Sequence, residues 1–200
     1  VDAAFAAFTA AAGRVDVLFN NAGIFTATAP IDEVPVQDWL DAVNVNLTGM
    51  FLCGRAAFGK MRHQSPQGGR IINNGSVSAY VPRDGLVTYT TTKHGVTGLT
   101  KSLALDGRAF KIACGQIDIG NAQSPMIDAL AARNVAQGKA PPPTIEVGYV
   151  ADAVWHMACL PLHANTLFQT IMATQMPYVG HGSSSVRIPG KPPTPPSPQR

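Results

Sequence analysis

The sequence predicts an α/β fold in which a parallel sheet is covered by helices on both faces. Segments whose apolar residues recur at three- and four-residue steps alternate with short apolar runs, and the alternation repeats four times along the 200 residues. The short runs are apolar almost throughout, which is typical of strands buried on both faces. A helix between two such strands is a crossover connection, so neighbouring strands are expected to be parallel.

The first helix and strand are predicted directly from the start of the chain. Residues 1–12 are nearly all Ala, Phe and Val with helical spacing, and Gly13 ends that helix. Residues 15–19 form a short apolar strand that runs into a loop of Asn20, Asn21, Ala22 and Gly23. Open parallel sheets bind ligands in such loops, although a plain turn explains the same residues.

One long amphipathic helix is predicted over residues 36–62, where apolar side chains such as Leu40 and Leu47 recur at helical spacing. Asn44 and Asn46 interrupt its middle. Asparagine is a poor interior helix residue because its amide competes for backbone hydrogen bonds. These two positions therefore need a specific explanation.

The second half of the chain continues the alternation and closes with a tail. Residues 1–182 are expected to form one partial domain. Residues 183–200 are rich in Pro and Ser, cannot bury a core and are expected to be disordered. The remaining predicted strands are residues 70–73, 111–119 and 167–173, and the remaining predicted helices are residues 88–110, 126–133 and 150–160.

Composition and charge exclude several kinds of partner. The sequence has fifteen basic and twelve acidic residues, and the difference equals the three basic residues of the tail, Arg187, Lys191 and Arg200. No basic face for nucleic acid is therefore implied. No stretch reaches the roughly 18 apolar residues of a membrane span, and no signal peptide opens the chain. The three cysteines are isolated and the five histidines lack ligand spacing. We therefore expect a cytoplasmic protein without a metal.

The stretch from Ser76 to Lys93 carries the candidate chemistry. Tyr89 and Lys93 are four residues apart, so on a helix they share one face. A nearby ammonium favours phenolate over phenol, which would lower the pKa of Tyr89 from about 10 and make it a candidate general acid/base. Taken alone, the pair equally fits an exposed contact on a helix.

Several motifs in one order resemble the short-chain dehydrogenase/reductase family. Asn20-Asn-Ala-Gly23 is similar to the family's loop after its fourth strand, and Asn44-Val-Asn-Leu-Thr-Gly49 resembles its Asn-x-Asn-Leu-x-Gly helix segment. Ser76 precedes Tyr89 by the thirteen residues that separate the family's catalytic serine and tyrosine, and Tyr89 with Lys93 matches its central pair. Ser78 is the alternative serine.

This resemblance implies a hydride transfer between NAD or NADP and a carbonyl or alcohol substrate. Tyr89 would then be the acid/base, Ser76 would bind the substrate oxygen, and Lys93 would hold the nicotinamide ribose. Asn46 would be the relay asparagine. The cofactor-binding positions implied are Asn20, Asn21, Ala22, Gly23, Tyr89, Lys93, Gly120, Ala122 and Ser124. The last three lie where the family holds the nicotinamide amide, with Ile119 in place of its proline and Ser124 in place of its threonine.

Three further residues are candidates near that site. Asp118 precedes the implied cofactor loop and either faces the site or is a buried carboxylate paired with a backbone amide. Tyr80 and Arg83 lie between Ser76 and Tyr89 and are candidates for the wall of a substrate pocket. The helices around Phe51 and Leu99 would pair between subunits of a homo-oligomer, as the resemblance implies.

One departure from the family is large. The family's Rossmann-like, doubly wound sheet begins with a strand and a glycine-rich turn that holds the pyrophosphate, and no Gly-x-x-x-Gly-x-Gly occurs in this sequence. By resemblance, roughly seventy residues and the first three strands are lacking. We therefore expect a fragment. The alternative to an active reductase is a catalytically inactive remnant that cannot bind the dinucleotide.

Overall fold

The computed structural model describes residues 1–136 and 138–179. The tail expected to be disordered, residues 183–200, lies outside the described residues. Single 3-10 turns occur at Ile31–Glu33, Val77–Ala79 and Arg108–Phe110. The helices are α1 (Asp2–Ala12), α2 (Val36–Val43), α3 (Met50–His63), α4 (Val87–Gly107), α5 (Pro125–Ala136) and α6 (Val147–Cys159), and the strands are β1 (Val17–Asn20), β2 (Gly69–Asn74), β3 (Ile112–Gly120) and β4 (Phe168–Met172).

The four strands form one sheet in the order β1-β2-β3-β4, and all three pairings are parallel. This confirms the predicted parallel α/β sheet. The register aligns Asn20 of β1 with Asn73 of β2, and Asn73 with Gln116 of β3. Side chains at aligned positions point to the same face. Three amides are therefore brought side by side near the carboxyl ends of the strands.

Helices cover both faces of the sheet, as predicted. Ile71 and Ile72 are adjacent in β2, so their side chains point to opposite faces of the sheet. Both side chains are fully buried, which shows that both faces are covered. Ile71 packs with Ala57 and Met61 of α3, whereas Ile72 packs with residues of α6 such as Met157. The continuous apolar character of the strands therefore reflects burial on both sides.

The long helix predicted over residues 36–62 is present, with a change of hydrogen bonding in its middle. α2 and α3 are joined by a π-helical segment, Asn44–Gly49, whose backbone stays in the right-handed helical region at both ends. π-helical turns widen the helix by one residue per turn and commonly occur at functional sites. The two asparagines that interrupt the apolar pattern lie in this segment.

β1 forms one edge of the described sheet, and its outward side is open. Val17 and Phe19 are 42% and 36% exposed, although both belong to a strand with apolar character. Within residues 1–136 and 138–179, no helix combines the length and apolarity that crossing a bilayer requires.

Candidate active site

The candidate residues converge at the carboxyl ends of β1, β2 and β3, beside the start of α4. Ser76 lies two residues beyond β2 and is only 5% exposed. Its hydroxyl accepts a hydrogen bond of 3.1 Å from the Ser78 amide, so Ser76 is the N-cap of the short 3-10 turn that follows. Tyr89 and Lys93 occupy the first two turns of α4. The structure thus brings together the three residues that the sequence singled out.

Tyr89 is held between an aromatic ring and the catalytic serine candidate. The Phe25 ring stacks on it with centroids 4.0 Å apart and planes inclined by 23°. Burial raises the pKa of Tyr89, and the negative charge of Asp118 raises it further, while a side-chain hydrogen bond with Ser76 and the positive charge of Arg83 lower it. Burial prevails, so Tyr89 is a neutral phenol at physiological pH. Ser76, and not Ser78, is the serine that acts on the pKa of Tyr89, which favours Ser76 as the neighbour of the phenol.

Lys93 is a buried ammonium with a backbone partner. It is 2% exposed, and its Nζ donates a 2.7 Å hydrogen bond to the carbonyl oxygen of Asn74. Burial lowers the pKa of Lys93 to about 8, and the charge of Asp118 opposes this shift. Lys93 therefore remains mostly protonated at neutral pH.

The expectation that Lys93 lowers the pKa of Tyr89 is wrong for the structure described. Nζ of Lys93 lies 5.4 Å from the centroid of the Tyr89 ring and is bonded to the Asn74 carbonyl. The pKa of Tyr89 is raised because its burial outweighs the favourable charges nearby. Spacing on a helix predicted the shared face but could not predict how deeply the phenol is buried.

Asn46 connects the π-helical segment to the loop after β1. Its Oδ1 accepts from the amide of Ile24 at 2.7 Å, and its Nδ2 donates to the carbonyl of the same residue at 2.9 Å. Nδ2 also lies 3.4 Å from the hydroxyl of Thr92, one residue before Lys93. The buried amide therefore ties the loop to the helix that carries Tyr89 and Lys93.

The loop of amides divides into buried and open members. Asn20 is 5% exposed, and its Nδ2 donates to the carbonyl of Met50 at 2.8 Å and to Oδ1 of Asn73 at 3.2 Å. Its side chain therefore joins elements of the protein. Asn21 and Ala22 are exposed, and Asn21 accepts a 2.7 Å hydrogen bond from the side chain of Asn74.

The missing side chain of Gly23 leaves space beside Lys93. A Cβ at Gly23 would lie 3.4 Å from Oδ1 of Asn46 and 3.9 Å from Nζ of Lys93. A larger side chain here would lie against the ammonium of Lys93, so glycine suits a position beside the expected nicotinamide ribose. The residues present thus fit the nicotinamide half of a dinucleotide.

The second loop follows β3 and carries the other implied cofactor positions. Gly120 is buried, and a Cβ there would fall 2.7 Å from Met172 and Met176. Ala122 forms a parallel β-bridge with Ile145. The hydrogen bonds of this bridge join Ile145 to the carbonyl of Asn121 and the amide of Gln123, and they leave the backbone groups of Ala122 unused. Ser124 Oγ accepts from the amide of Ile127 at 3.4 Å, at the start of α5. Ala122 therefore offers backbone groups on the side away from Ile145.

A chain of buried polar side chains below the site was not anticipated from the sequence. We call it the polar network: Asn20, Asn73, Thr100, Gln116 and Asp118. Asn73 donates to Thr100 at 2.9 Å, Thr100 to Gln116 at 3.0 Å, and Gln116 to Asp118 at 2.7 Å. The signal in the sequence was the polar residues inside otherwise apolar strands.

Tyr80 and Arg83 lie at the mouth of the site. Together with Asn21 and Ala22 they form what we call the rim, where all four residues are exposed. The Tyr80 hydroxyl donates to Oδ2 of Asp118 at 3.0 Å, and Nη2 of Arg83 lies 3.8 Å from the sulfur of Met176. The positive charge of Arg83 lowers the pKa of Tyr89, which places Arg83 near the phenol.

Sequence comparison agrees with this arrangement. The family model described as short chain dehydrogenase matches residues 1–134. Among curated proteins, a 3beta-hydroxysteroid dehydrogenase of Mediterraneibacter gnavus is 33% identical over 148 residues, which cover 70% of this chain and 52% of the relative. The chain thus spans about half the length of this curated relative.

Solved structures of the same kind share the fold. Sorbitol-6-phosphate 2-dehydrogenase SrlD from Erwinia amylovora matches with a TM-score of 0.78 and 27% identity, over 88% of this chain and 74% of that one. The closed form of serine dehydrogenase complexed with NADP+ matches with a TM-score of 0.76 and 25% identity, over 90% and 75% of the two chains. With its parallel sheet and the matched family model, the chain belongs to the short chain dehydrogenase family.

Proposed function

We propose that the protein is an oxidoreductase that moves a hydride between NAD or NADP and a carbonyl or alcohol substrate. The observation that carries this proposal is the meeting of a Ser76 hydroxyl, a Tyr89 phenol and a buried Lys93 ammonium at the strand ends of a short chain dehydrogenase. The three relatives described above are all named dehydrogenases, and one of their structures contains NADP+.

Tyr89 acts as the proton donor in the reductive direction. Its raised pKa keeps the proton on the phenol at neutral pH, so it can give that proton to a carbonyl oxygen as the oxygen gains charge. Ser76 donates a hydrogen bond to the same oxygen and stabilises its developing charge. In the oxidative direction Tyr89 must first lose its proton, which favours alkaline pH.

Lys93 and Asn46 support the phenol and the cofactor. The ammonium of Lys93 is charged at neutral pH, and its proposed role is to hold the hydroxyls of the nicotinamide ribose. Glycine at position 23 suits a place beside this ribose. Asn46 holds the loop of Asn20 to Gly23 against α4 and is the proposed relay residue between Lys93 and solvent.

The nicotinamide cofactor would supply or accept the hydride when bound. Lys93, Tyr89 and Gly23 would hold its ribose, and Gly120, Ala122 and Ser124 would line the place of its carboxamide. Asn21 and Ala22 are open to solvent and would border it. Both NAD and NADP fit this half of the site.

A second candidate is an inactive member of the family that does not bind the dinucleotide. The observation in its favour is that the Lys93 ammonium is 2% exposed and already bonded to the Asn74 carbonyl. The close placement of Ser76, Tyr89 and Lys93 favours the enzyme instead. The two functions differ in one measurable property, which is binding of the reduced cofactor.

Titration of the purified chain with NADH and with NADPH, followed by nicotinamide fluorescence, tests the proposal. We expect binding of at least one cofactor, and turnover of secondary alcohols chosen from the relatives' substrates, such as a 3beta-hydroxysteroid and sorbitol 6-phosphate. Lys93→Met should weaken the binding about tenfold or more. Lys101→Met, an exposed lysine on the same helix, is the matched control. Absence of binding for both cofactors would support the inactive remnant.

The homo-oligomer and the cytoplasmic location also remain proposals. An open groove of about 930 Å³ runs between α1, α3 and α4 and is lined by apolar residues such as Phe51, Leu99 and Leu103. Phe51 is 49% exposed. A second copy of the same helices would cover these side chains, and sedimentation equilibrium of wild type and Phe51→Glu would measure the effect.

A further inference from the structure

Asp118 is a buried carboxylate for which the proposed reaction gives no role. It is fully buried near the end of β3. Within residues 1–136 and 138–179, the ion pairs join Arg14 to Asp16 and Arg55 to Asp2, so Asp118 is in neither. A buried carboxylate without a direct ion pair is costly unless hydrogen bonds replace its water. Its partners therefore indicate what it stabilises.

The site of Asp118 is built around its two oxygens. Oδ1 accepts from the backbone amide of Ser76 at 2.9 Å and from Nε2 of Gln116 at 2.7 Å. Oδ2 accepts from the hydroxyl of Tyr80 at 3.0 Å. A Cβ at Gly75 would collide with Oδ1, so the close approach of the backbone depends on that glycine. Of the two alternatives raised by the sequence, the pairing of the carboxylate with a backbone amide is confirmed.

The polar network fixes the direction of the Gln116 amide. Thr100 donates to Oε1 of Gln116, and this leaves the amide NH₂ for the carboxylate. Asn73 donates in turn to Thr100. Because each of these donors in the polar network already has an acceptor, Asp118 has little freedom to turn away from Ser76.

We propose that Asp118 is a positioning residue for the proposed reaction: one oxygen fixes the Ser76 backbone, and the other fixes the Tyr80 phenol at the mouth of the substrate pocket. This inference rests on the oxidoreductase function proposed above. Tyr80 is 44% exposed, and its hydroxyl is held by Asp118. The carboxylate thus joins the residue that binds the reacting oxygen to a residue that the rest of the substrate meets.

The charge of Asp118 also acts on the reacting groups. The titratable groups that face it are Lys93 and Tyr89 from α4 and Tyr80 from the loop after β2. Its negative charge raises the pKa of all three groups. Removal of that charge should therefore lower each pKa, with the same sign for the lysine and both tyrosines.

Asp118→Asn is the main test because it keeps the size of the side chain and removes the charge. We expect kcat/KM to fall about tenfold, as for the loss of a charge-assisted hydrogen bond. The pH profile of kcat should move to lower pH in both directions of the reaction. A role limited to folding would lower activity without moving the profile, so an unmoved profile in a folded variant overturns the proposal.

A readout that does not depend on turnover separates this inference from the proposed function. In protein labelled with ¹⁵N-lysine, the Nζ signal of Lys93, assigned with Lys93→Met, should titrate near pH 8 in the wild type. It should titrate at lower pH in Asp118→Asn. If the wild type binds no cofactor but the lysine shift occurs, the proposed function fails and the electrostatic coupling to Asp118 stands. If the shift is absent, the inference fails whether or not the enzyme is active.

Tyr80→Phe keeps the proposal testable if Asp118→Asn does not fold. It deletes one hydroxyl from a side chain that is 44% exposed, so folding should be preserved, and the pocket wall loses its anchor. We expect KM to rise about threefold to tenfold with little change in kcat. Tyr149→Phe makes the same chemical change on the exposed side of α6, where Tyr149 is 60% exposed, and should leave KM unchanged. An unchanged KM in Tyr80→Phe would overturn the pocket half of the proposal.

Discussion

The polar network and the rim both contain polar side chains near the strand ends, but they differ in their access to water. Members of the network are at most 5% exposed, and each takes part in a hydrogen bond with another member. The rim residues Asn21, Ala22, Tyr80 and Arg83 are exposed. A buried polar group that loses its partner cannot return to water, whereas an exposed one can. The network should therefore carry stability, and the rim should carry recognition.

Tyr89→Phe should produce the largest effect, because Tyr89 is the proposed proton donor. The change keeps the ring that stacks on Phe25 and removes only the hydroxyl. We expect turnover to fall by about 100- to 10,000-fold, the usual contribution of a general acid. Cofactor affinity and melting temperature should stay close to wild type. Full activity of this variant would contradict the assignment of Tyr89, and Tyr149→Phe is the control.

Gln116→Met should produce the largest loss of stability. It removes the donor to Asp118 and the acceptor of Thr100 while it keeps an unbranched side chain. We expect the free energy of unfolding to fall by about 2–4 kcal/mol, as a lower urea midpoint with an unchanged slope. Gln37→Met changes an exposed glutamine that bonds to Asp41 and should cost less than about 0.5 kcal/mol. Equal losses in the two variants would contradict the expectation that the buried network contributes more to stability than an exposed hydrogen bond.

The pH dependence of stability should report the burial of Lys93. Its pKa in the folded protein is about 8, below the ordinary 10.5, so between these values the unfolded chain binds more protons. Stability should therefore rise as pH increases through this window, by at most about 1.4 kcal/mol per pH unit from this group. Lys93→Met should flatten the rise when urea midpoints are compared at pH 7.5 and pH 10. A wild-type curve without the rise would contradict the buried ammonium.

Asn21→Ala should have the smallest effect on stability. Asn21 is exposed, and it loses only the hydrogen bond from the side chain of Asn74. We expect a change of less than about 0.5 kcal/mol in the free energy of unfolding. The free energy of binding to NADH or NADPH, measured by fluorescence, should change more than the free energy of unfolding. A loss above about 1 kcal/mol would place Asn21 with the network rather than the rim.

The sequence predicted much of the fold, because its signals are local. Continuous apolar runs and helical spacing identified the strands and the helices around them, and the positions of Ser76, Tyr89 and Lys93 were found from motif spacing. The π-helical segment was visible only as a conflict between the asparagines and the helical pattern. That conflict is resolved by the pairing of Asn46 with Ile24, which no local pattern contains.

The electrostatics of the site could not be predicted from spacing. The pKa of Tyr89 depends on its burial under Phe25, and the ammonium of Lys93 is directed to the Asn74 carbonyl. Both depend on contacts between distant parts of the chain. The polar network has the same origin, since Asn73 and Gln116 meet only through the strand register.

The π-helical segment also sets how the chain can tolerate a change of length. Each residue of an α-helix turns by about 100°, so one extra residue shifts the two halves of the long helix by that angle relative to each other. Deletion of Val45 would give regular α-helical pairing, and it would swing Asn46 away from Ile24 or α3 away from the sheet. The π-helical segment therefore lets Asn46 bond to Ile24 while α3 packs against the sheet. Loss of one residue here should be tolerated less well than a substitution.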